Sequence, residues 1–185
     1  MQTNTYEGLH IINNSQSIKM DELVVEAPLQ ININSKAYSV VMRTPNNDKD
    51  LVFGLLYAED IYKNSSSIPL EVIKEEYGIP SIINVTIPTN VLGKGYLNKR
   101  TLLSVSSCGI CGKQQLEDLK VSGDKIVKKV SFSSESLLHM FGTLQKHQET
   151  FKKTGGSHAA GIFDKKFQLL TIREDIGRHN AVDKC

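Results

Sequence analysis

The sequence predicts an α+β protein, a mixed sheet with flanking helices and a small N-terminal β-rich portion. Three observations predict it. Short aliphatic or β-branched runs bounded by Pro, Gly or Asn recur along the chain. Only two stretches carry a long helical repeat, and the extended runs favour hairpins over strict βαβ alternation. The length of 185 residues suits one domain, or one domain with a small appendage.

In chain order, residues 1–22 are polar and unpatterned and are expected to form a loose lead-in. Val24, Val25, Leu29, Ile31 and Ile33 mark an extended segment over 23–33, and Asn34-Ser35 turns it into a second strand over 37–42. Thr44-Pro45 stops that strand. Asp48 can then cap a helix over 49–59 whose Leu51, Val52, Leu55 and Leu56 make one apolar face. Strands follow at 71–76, 82–87 and 101–106. Leu137, Leu138, Phe141 and Leu144 predict a longer helix from Ser134 to Thr150, with Ser133 or Ser134 as N-cap. Strands at 158–163 and 167–173 flank a turn at Asp164-Lys165-Lys166, and a last helix begins at Arg178. The expected divisions are the lead-in, an N-terminal β-rich portion with one helix over 23–100, and a second portion over 101–185.

Composition narrows the function classes. Hydrophobic residues are 39% and charged residues 23%, near the globular average, which excludes wholesale disorder. With 22 Lys+Arg against 20 Asp+Glu the net charge is +2, and no cationic stripe offers a track for nucleic acid. No apolar run approaches the roughly 18 residues of a membrane helix, and the first residues lack a signal-like apolar core. The expectation is a cytoplasmic protein. Three cysteines, two of them spaced C-x-x-C, point away from a secreted disulfide framework and toward redox chemistry, metal binding or sulfur transfer.

Cys108 and Cys111 follow a predicted strand and sit beside Gly109 and Gly112, with Lys113 next in the chain. Only the thiolate attacks or carries sulfur, and exposed peptide N–H groups and a nearby cation lower its pKa from about 8.5. Three readings of this dithiol stand. It is a persulfide carrier with Cys108 as the carrying sulfur, a thioredoxin-like redox pair, or half of a zinc site. A redox pair of that type needs a proline loop downstream, whereas all 5 prolines precede Cys108. A zinc site needs two further ligands, available only singly from His139, His147, His158, His179 or Cys185.

Two more stretches concentrate polar chemistry. In Thr154-Gly155-Gly156-Ser157-His158 the glycines permit close backbone approach to a ligand. In Gly177-Arg178-His179-Asn180 a helix start carries a guanidinium, and such a turn can receive a phosphate unless Asp175 caps it instead.

These stretches, together with Glu26-Ala-Pro28-Leu29, Met42-Arg-Thr44-Pro45, Ser106-Ser107-Cys108-Gly-Ile-Cys111-Gly112 and Glu174-Asp175-Ile-Gly177-Arg178-His179-Asn180-Ala-Val-Asp183-Lys184, resemble the formate dehydrogenase accessory sulfur-carrier family, FdhD. The resemblance runs from about residue 24 to the last. It implies a sulfurtransferase that takes persulfide sulfur from a cysteine desulfurase and passes it to the molybdenum cofactor, bis-molybdopterin guanine dinucleotide, required by formate dehydrogenase. The carrier falls on Cys108 with Cys111 as its companion, and Gly155, Gly156, His158, Gly177, Arg178, His179 and Asn180 are expected to hold the cofactor as bound substrate, with no structural metal. The implied fold is cytidine-deaminase-like, and the family implies a cytoplasmic protein that can form a homodimer. Ala160 stands where a zinc deaminase would have its proton-shuttling Glu, so deamination is not expected. Ser35 stands where the family has Gly, and the chain ends at Cys185 where family members continue, which suggests a truncated member.

Overall fold

The computed structural model describes residues 2–97 and 131–185. Among them the architecture is mixed α and β, as expected. The strands are β1 (Thr3–Ile12), β2 (Ser15–Val24), β3 (Ala27–Ile33), β4 (Lys36–Arg43), β5 (Leu70–Glu76), β6 (Ile79–Val85), β7 (His158–Phe163) and β8 (Leu169–Asp175). The helices are α1 (Asp48–Ala58), α2 (Ser134–Lys146), α3 (Glu149–Thr154) and α4 (Arg178–Asp183). The expected strand at 101–106 lies outside the described residues.

The core is built on a four-stranded sheet of order β4-β3-β6-β5. Its β3–β6 pair is parallel and its other pairs are antiparallel, so the sheet is mixed. Alternation decides the buried face: Leu29, Ile31 and Ile33 of β3 are inaccessible to solvent. Against them α1 lays the face that its spacing predicts, Leu51, Val52, Leu55 and Leu56, and all four join one hydrophobic cluster with Ile83 and Val85. The outer strand β5 carries Glu71, Lys74, Glu75 and Glu76, charges that discourage pairing along that edge.

Asn34 and Ser35 occupy the left-handed region, φ 51° and 64°, which closes the β3–β4 turn. Ser35 accepts this conformation, where the family pattern has Gly, with its amide donating to Asn84 Oδ1 at 2.7 Å. Asn34 also ties the turn to the segment that follows β6. Its Nδ2 donates to the Ile87 carbonyl and its Oδ1 accepts from the Ile87 amide, each at 2.8 Å.

Residues 3–24 are no loose lead-in. They form the β1–β2 hairpin, with ten paired positions from Thr3↔Val24 to Ile12↔Ser15. The missed signal is Asn13-Asn14, both at positive φ, a two-residue turn that suits the twist of a hairpin.

The helix expected over 134–150 is broken in two. Ser133 caps its start as anticipated, its Oγ accepting from the Ser136 amide. Its end at His147 and the restart at Glu149 follow from a tertiary contact. The Glu174 carboxylate of β8 accepts the Thr150 and Phe151 amides, both at 2.8 Å, and so caps α3 from outside the helix.

Asp48 does not serve as the N-cap of α1. Asn47 holds that position without a side-chain capping bond. The Asp48 carboxylate instead takes a two-pronged bond from Arg43, at 2.8 and 2.9 Å. Arg43 is fully buried and also donates to the carbonyls of Ala27 and Pro80, so the guanidinium clamps β3, β6 and the start of α1 together.

Candidate functional site

The two polar stretches meet where β7 begins, β8 ends and α4 starts. The β7–β8 pairing is antiparallel and sets His158 opposite Asp175. Asp175 is completely buried, and its carboxylate is saturated. Oδ1 accepts the Gly177 amide at 2.7 Å and Asn180 Nδ2 at 3.0 Å. Oδ2 accepts the Thr44 amide at 3.0 Å and Lys184 Nζ at 2.6 Å.

Thr44 is the hub on the other side. Its carbonyl accepts from Lys184 Nζ at 2.7 Å, and its hydroxyl accepts the Ile176 amide at 3.0 Å. Asn180 Nδ2 also donates to the Met42 carbonyl. Burying an ion pair costs desolvation that is offset only when every remaining donor and acceptor finds a partner. Here the carboxylate accepts four hydrogen bonds and Lys184 Nζ finds two acceptors, which ties the end of β4, the end of β8 and α4 into one arrangement.

The clasp occupies one donor of the turn at Gly177. The Gly177 amide is taken by Asp175. Gly177 is also needed for space, because a Cβ there would lie 2.8 Å from Asn180 Nδ2. Arg178 is exposed, while His179 is half-buried with its Nδ1 enclosed and unpartnered among the described residues. Asn180 is buried within the clasp.

Gly155 and Gly156 have local tasks. Gly155 adopts φ 64° and ends α3, its amide donating to the Phe151 carbonyl. Gly156 packs against the base of the β1–β2 hairpin, where a Cβ would stand 3.1 Å from Val24 Cγ1. Ser157 donates to Glu174 Oε1 at 2.9 Å, and His158 is exposed. The structure therefore brings His158, Gly177, Arg178, His179 and Asn180 to one end of the β7–β8 pair, with Gly155 and Gly156 at the approach to β7. Cys108 and Cys111 lie outside the described residues.

Sequence reasoning missed Thr44 and Lys184, which hold this end in place. The available signal was Asp175 two residues ahead of a glycine, a carboxylate that needs a cation once buried.

A separate cleft of about 700 Å³ opens between α1 and α4, lined among others by Asp50, Tyr57, Tyr62, Arg173 and Cys185. None of the expected cofactor residues lines it. Arg173 Nη2 pairs there with Asp50 at 2.9 Å. Burial pushes the Cys185 thiol pKa up, and Sγ donates to the Ala160 carbonyl at 3.2 Å, which makes it a poor nucleophile. Among the described residues no cluster of three or more His, Cys, Asp or Glu could hold a metal ion. No helix there is long and apolar enough to cross a membrane.

The model of the FdhD/NarQ family matches residues 24–185, a span that takes in β3 through α4 and both polar stretches. The chain belongs to this family. Among curated FdhD/NarQ relatives, the sulfur carrier protein FdhD of Picrophilus torridus is 36% identical over 179 residues, covering 94% of this chain and 66% of the relative. The protein of the same name from Thermoplasma acidophilum is 38% identical, covering 89% and 59%. That of Sulfurisphaera tokodaii is 32% identical and covers 100% and 69%, so its match includes the β1–β2 hairpin. The chain thus spans about two thirds of the length of the curated relatives it matches, or somewhat less. A solved structure from Desulfotalea psychrophila, described as a formate dehydrogenase accessory protein, superposes with a TM-score of 0.66 at 16% identity, covering 100% of this chain and 66% of that one. At that identity the likeness shows the fold.

Proposed function

We propose that the protein is a sulfur carrier that works through a persulfide on Cys108. The observation that carries the reading is membership of a family whose curated relatives are named sulfur carriers, in a matched span that contains Cys108-Gly-Ile-Cys111. In the loading step the Cys108 thiolate attacks the outer sulfur of a cysteine desulfurase persulfide. The donor S–S bond breaks, a new one forms on Cys108, and the desulfurase cysteine leaves as thiolate.

In delivery the Cys111 thiolate attacks the inner sulfur of that persulfide. A Cys108–Cys111 disulfide forms and the outer sulfur departs, reduced by two electrons, as sulfide. A cellular thiol reductant resets the pair. The recipient is the molybdenum cofactor of formate dehydrogenase, bound as substrate in its guanine dinucleotide form. His158, Arg178 and His179 supply imidazole and guanidinium donors for its pterin and phosphates, and Gly155, Gly156, Gly177 and Asn180 shape the surrounding backbone. The setting is the cytoplasm, where thiols stay reduced.

The test is to incubate the protein with a cysteine desulfurase and sulfur-labelled cysteine, then map the label by mass spectrometry under non-reducing conditions. Label on the Cys108 peptide, lost in Cys108→Ala and retained on Cys108 in Cys111→Ala, is the expected result. A Cys108 that stays unlabelled while the desulfurase turns over sinks the reading.

A further inference from the structure

We infer that the outward face of α2 and α3 is where a persulfide-donating protein docks, through an apolar side chain flanked by carboxylates. The inference rests on the sulfur-carrier reading above. Leu138, Phe141, Gly142 and Gln145 stand at i, i+3, i+4 and i+7 of α2 and so share one face. Leu144 turns inward onto Gly161 of β7, where a Cβ would lie 2.6 Å from Leu144 Cδ1. No residue of α2 is buried. Leu138 and Phe141 are 72% and 67% exposed, and Phe151 of α3 is 42% exposed.

Between the two helices lies a recess of about 580 Å³, lined by Gly142, Gln145, Lys146, Phe151 and Lys152. Gly142 is not at positive φ, and a Cβ there would meet nothing within 4 Å among the described residues. Neither the backbone nor the packing of the chain itself demands glycine at that point. What the missing side chain leaves is depth in the middle of an exposed apolar face, the shape of a socket for a partner's anchoring side chain.

Charge selects the occupant. Residues 142–153 hold three Lys against one Glu, that Glu is already paired with Lys152, and the Lys146 ammonium pairs with no carboxylate among the described residues. Residues 98–130 of the same chain carry seven Lys and Arg against three Asp and Glu, a like-charged match, and a second copy presenting this face meets the same repulsion. An anionic membrane would satisfy the lysines but has no side chain to fill a socket. A protein segment with carboxylates beside an apolar anchor satisfies both.

Glu174 fixes where this face lies relative to the candidate site. Its Oε1 accepts both the Phe151 amide, at 2.8 Å, and the Ser157 hydroxyl, at 2.9 Å, so one carboxylate oxygen joins the wall of the recess to the residue that precedes His158. A protein seated on α2 and α3 therefore lies beside the end where the expected cofactor residues gather. The donor needs such a seat more than the recipient does. A persulfide held on one protein reaches the cysteine of another only after the two dock, whereas the cofactor is a small molecule that the site's own donors can hold.

The test compares two sulfur sources at rising concentrations of the purified chain: a purified cysteine desulfurase with labelled cysteine, and inorganic polysulfide, which needs no docking. In the second, the Cys108 thiolate takes a terminal sulfur and a polysulfide shorter by one sulfur leaves. Gly142→Leu fills the socket with a better helix former, and Phe141→Glu puts a like charge against the partner's carboxylates. Each should raise the half-saturating concentration with the desulfurase by about tenfold or more and leave polysulfide loading unchanged. Lys146→Glu should have a smaller effect and flatten the fall of desulfurase loading with added salt. Variants that load from the desulfurase like the wild type overturn the inference, as does an equal loss with both sources. So does a melting temperature of Gly142→Leu or Phe141→Glu well below the wild type, which assigns the face to the chain's own packing. Self-association or retention on phosphatidylserine vesicles that Phe141→Glu abolishes, with desulfurase loading unaffected, assigns it to a second copy or a membrane instead. A wild type loaded by polysulfide but not by the desulfurase overturns the docking inference alone, while a Cys108 loaded by neither sinks the carrier reading and the inference with it.

Discussion

Two hairpins stand next to each other in the sequence and meet opposite fates. Both β1–β2 and β3–β4 turn on two residues at positive φ, Asn13-Asn14 and Asn34-Ser35, and both carry aliphatic side chains along their strands. Yet Leu29, Ile31 and Ile33 are sealed from solvent, while Leu9, Ile11 and Ile18 are more than half open. The local chemistry that makes a hairpin is the same in each. What differs is what later segments bring to it: β6 pairs alongside β3, α1 covers one face, and Ile87 closes over the Asn34 turn. Burial belongs to the neighbours, and stability should follow the neighbours rather than the hairpin.

The largest effect that can break this contrast lies at the anchored end of β4. Lys184→Met removes the cation from a buried carboxylate and should cost about 3–5 kcal/mol in denaturant unfolding, because Asp175 is left charged and enclosed. Next come matched truncations of the two hairpins. Ile31→Ala should lose about 2–5 kcal/mol from a fully packed site. Leu9→Ala should stay within about 0.5 kcal/mol, since it removes little buried surface. A loss at Leu9 as large as that at Ile31 would show that the two hairpins are equally integrated.

A second matched pair sharpens the comparison at the turns. Asn34→Ala forfeits both the left-handed preference and two bonds to Ile87, about 1–3 kcal/mol in all. Asn13→Ala loses only the preference, about 1 kcal/mol or less. Thermal melts of the pair suffice to rank them.

The elements that came out of the sequence correctly are those whose signal is local. The apolar face of α1 repeats at helical spacing, Ser133 stands just ahead of a helical repeat, and the Asp164 turn carries its own side-chain acceptor for the Lys166 and Gln168 amides. The split between α2 and α3 was illegible because its cause, Glu174, lies more than twenty residues downstream. The hairpin over 3–24 was overlooked for another reason: its polar residues hide an Asn-Asn turn that a search for hydrophobic alternation passes over.

The sequence by itself determined which chemistry the chain carries: the Cys108 and Cys111 thiols, the imidazole of His158, the guanidinium of Arg178, and the family motif around them. It could not decide which charged groups serve function and which serve the frame. Asp175 and Lys184 are nine residues apart, and Thr44 is more than a hundred residues from either. Only tertiary structure decided that these three partner one another in a buried space, because a buried charge must find its partner through space and sequence separation carries no record of that distance.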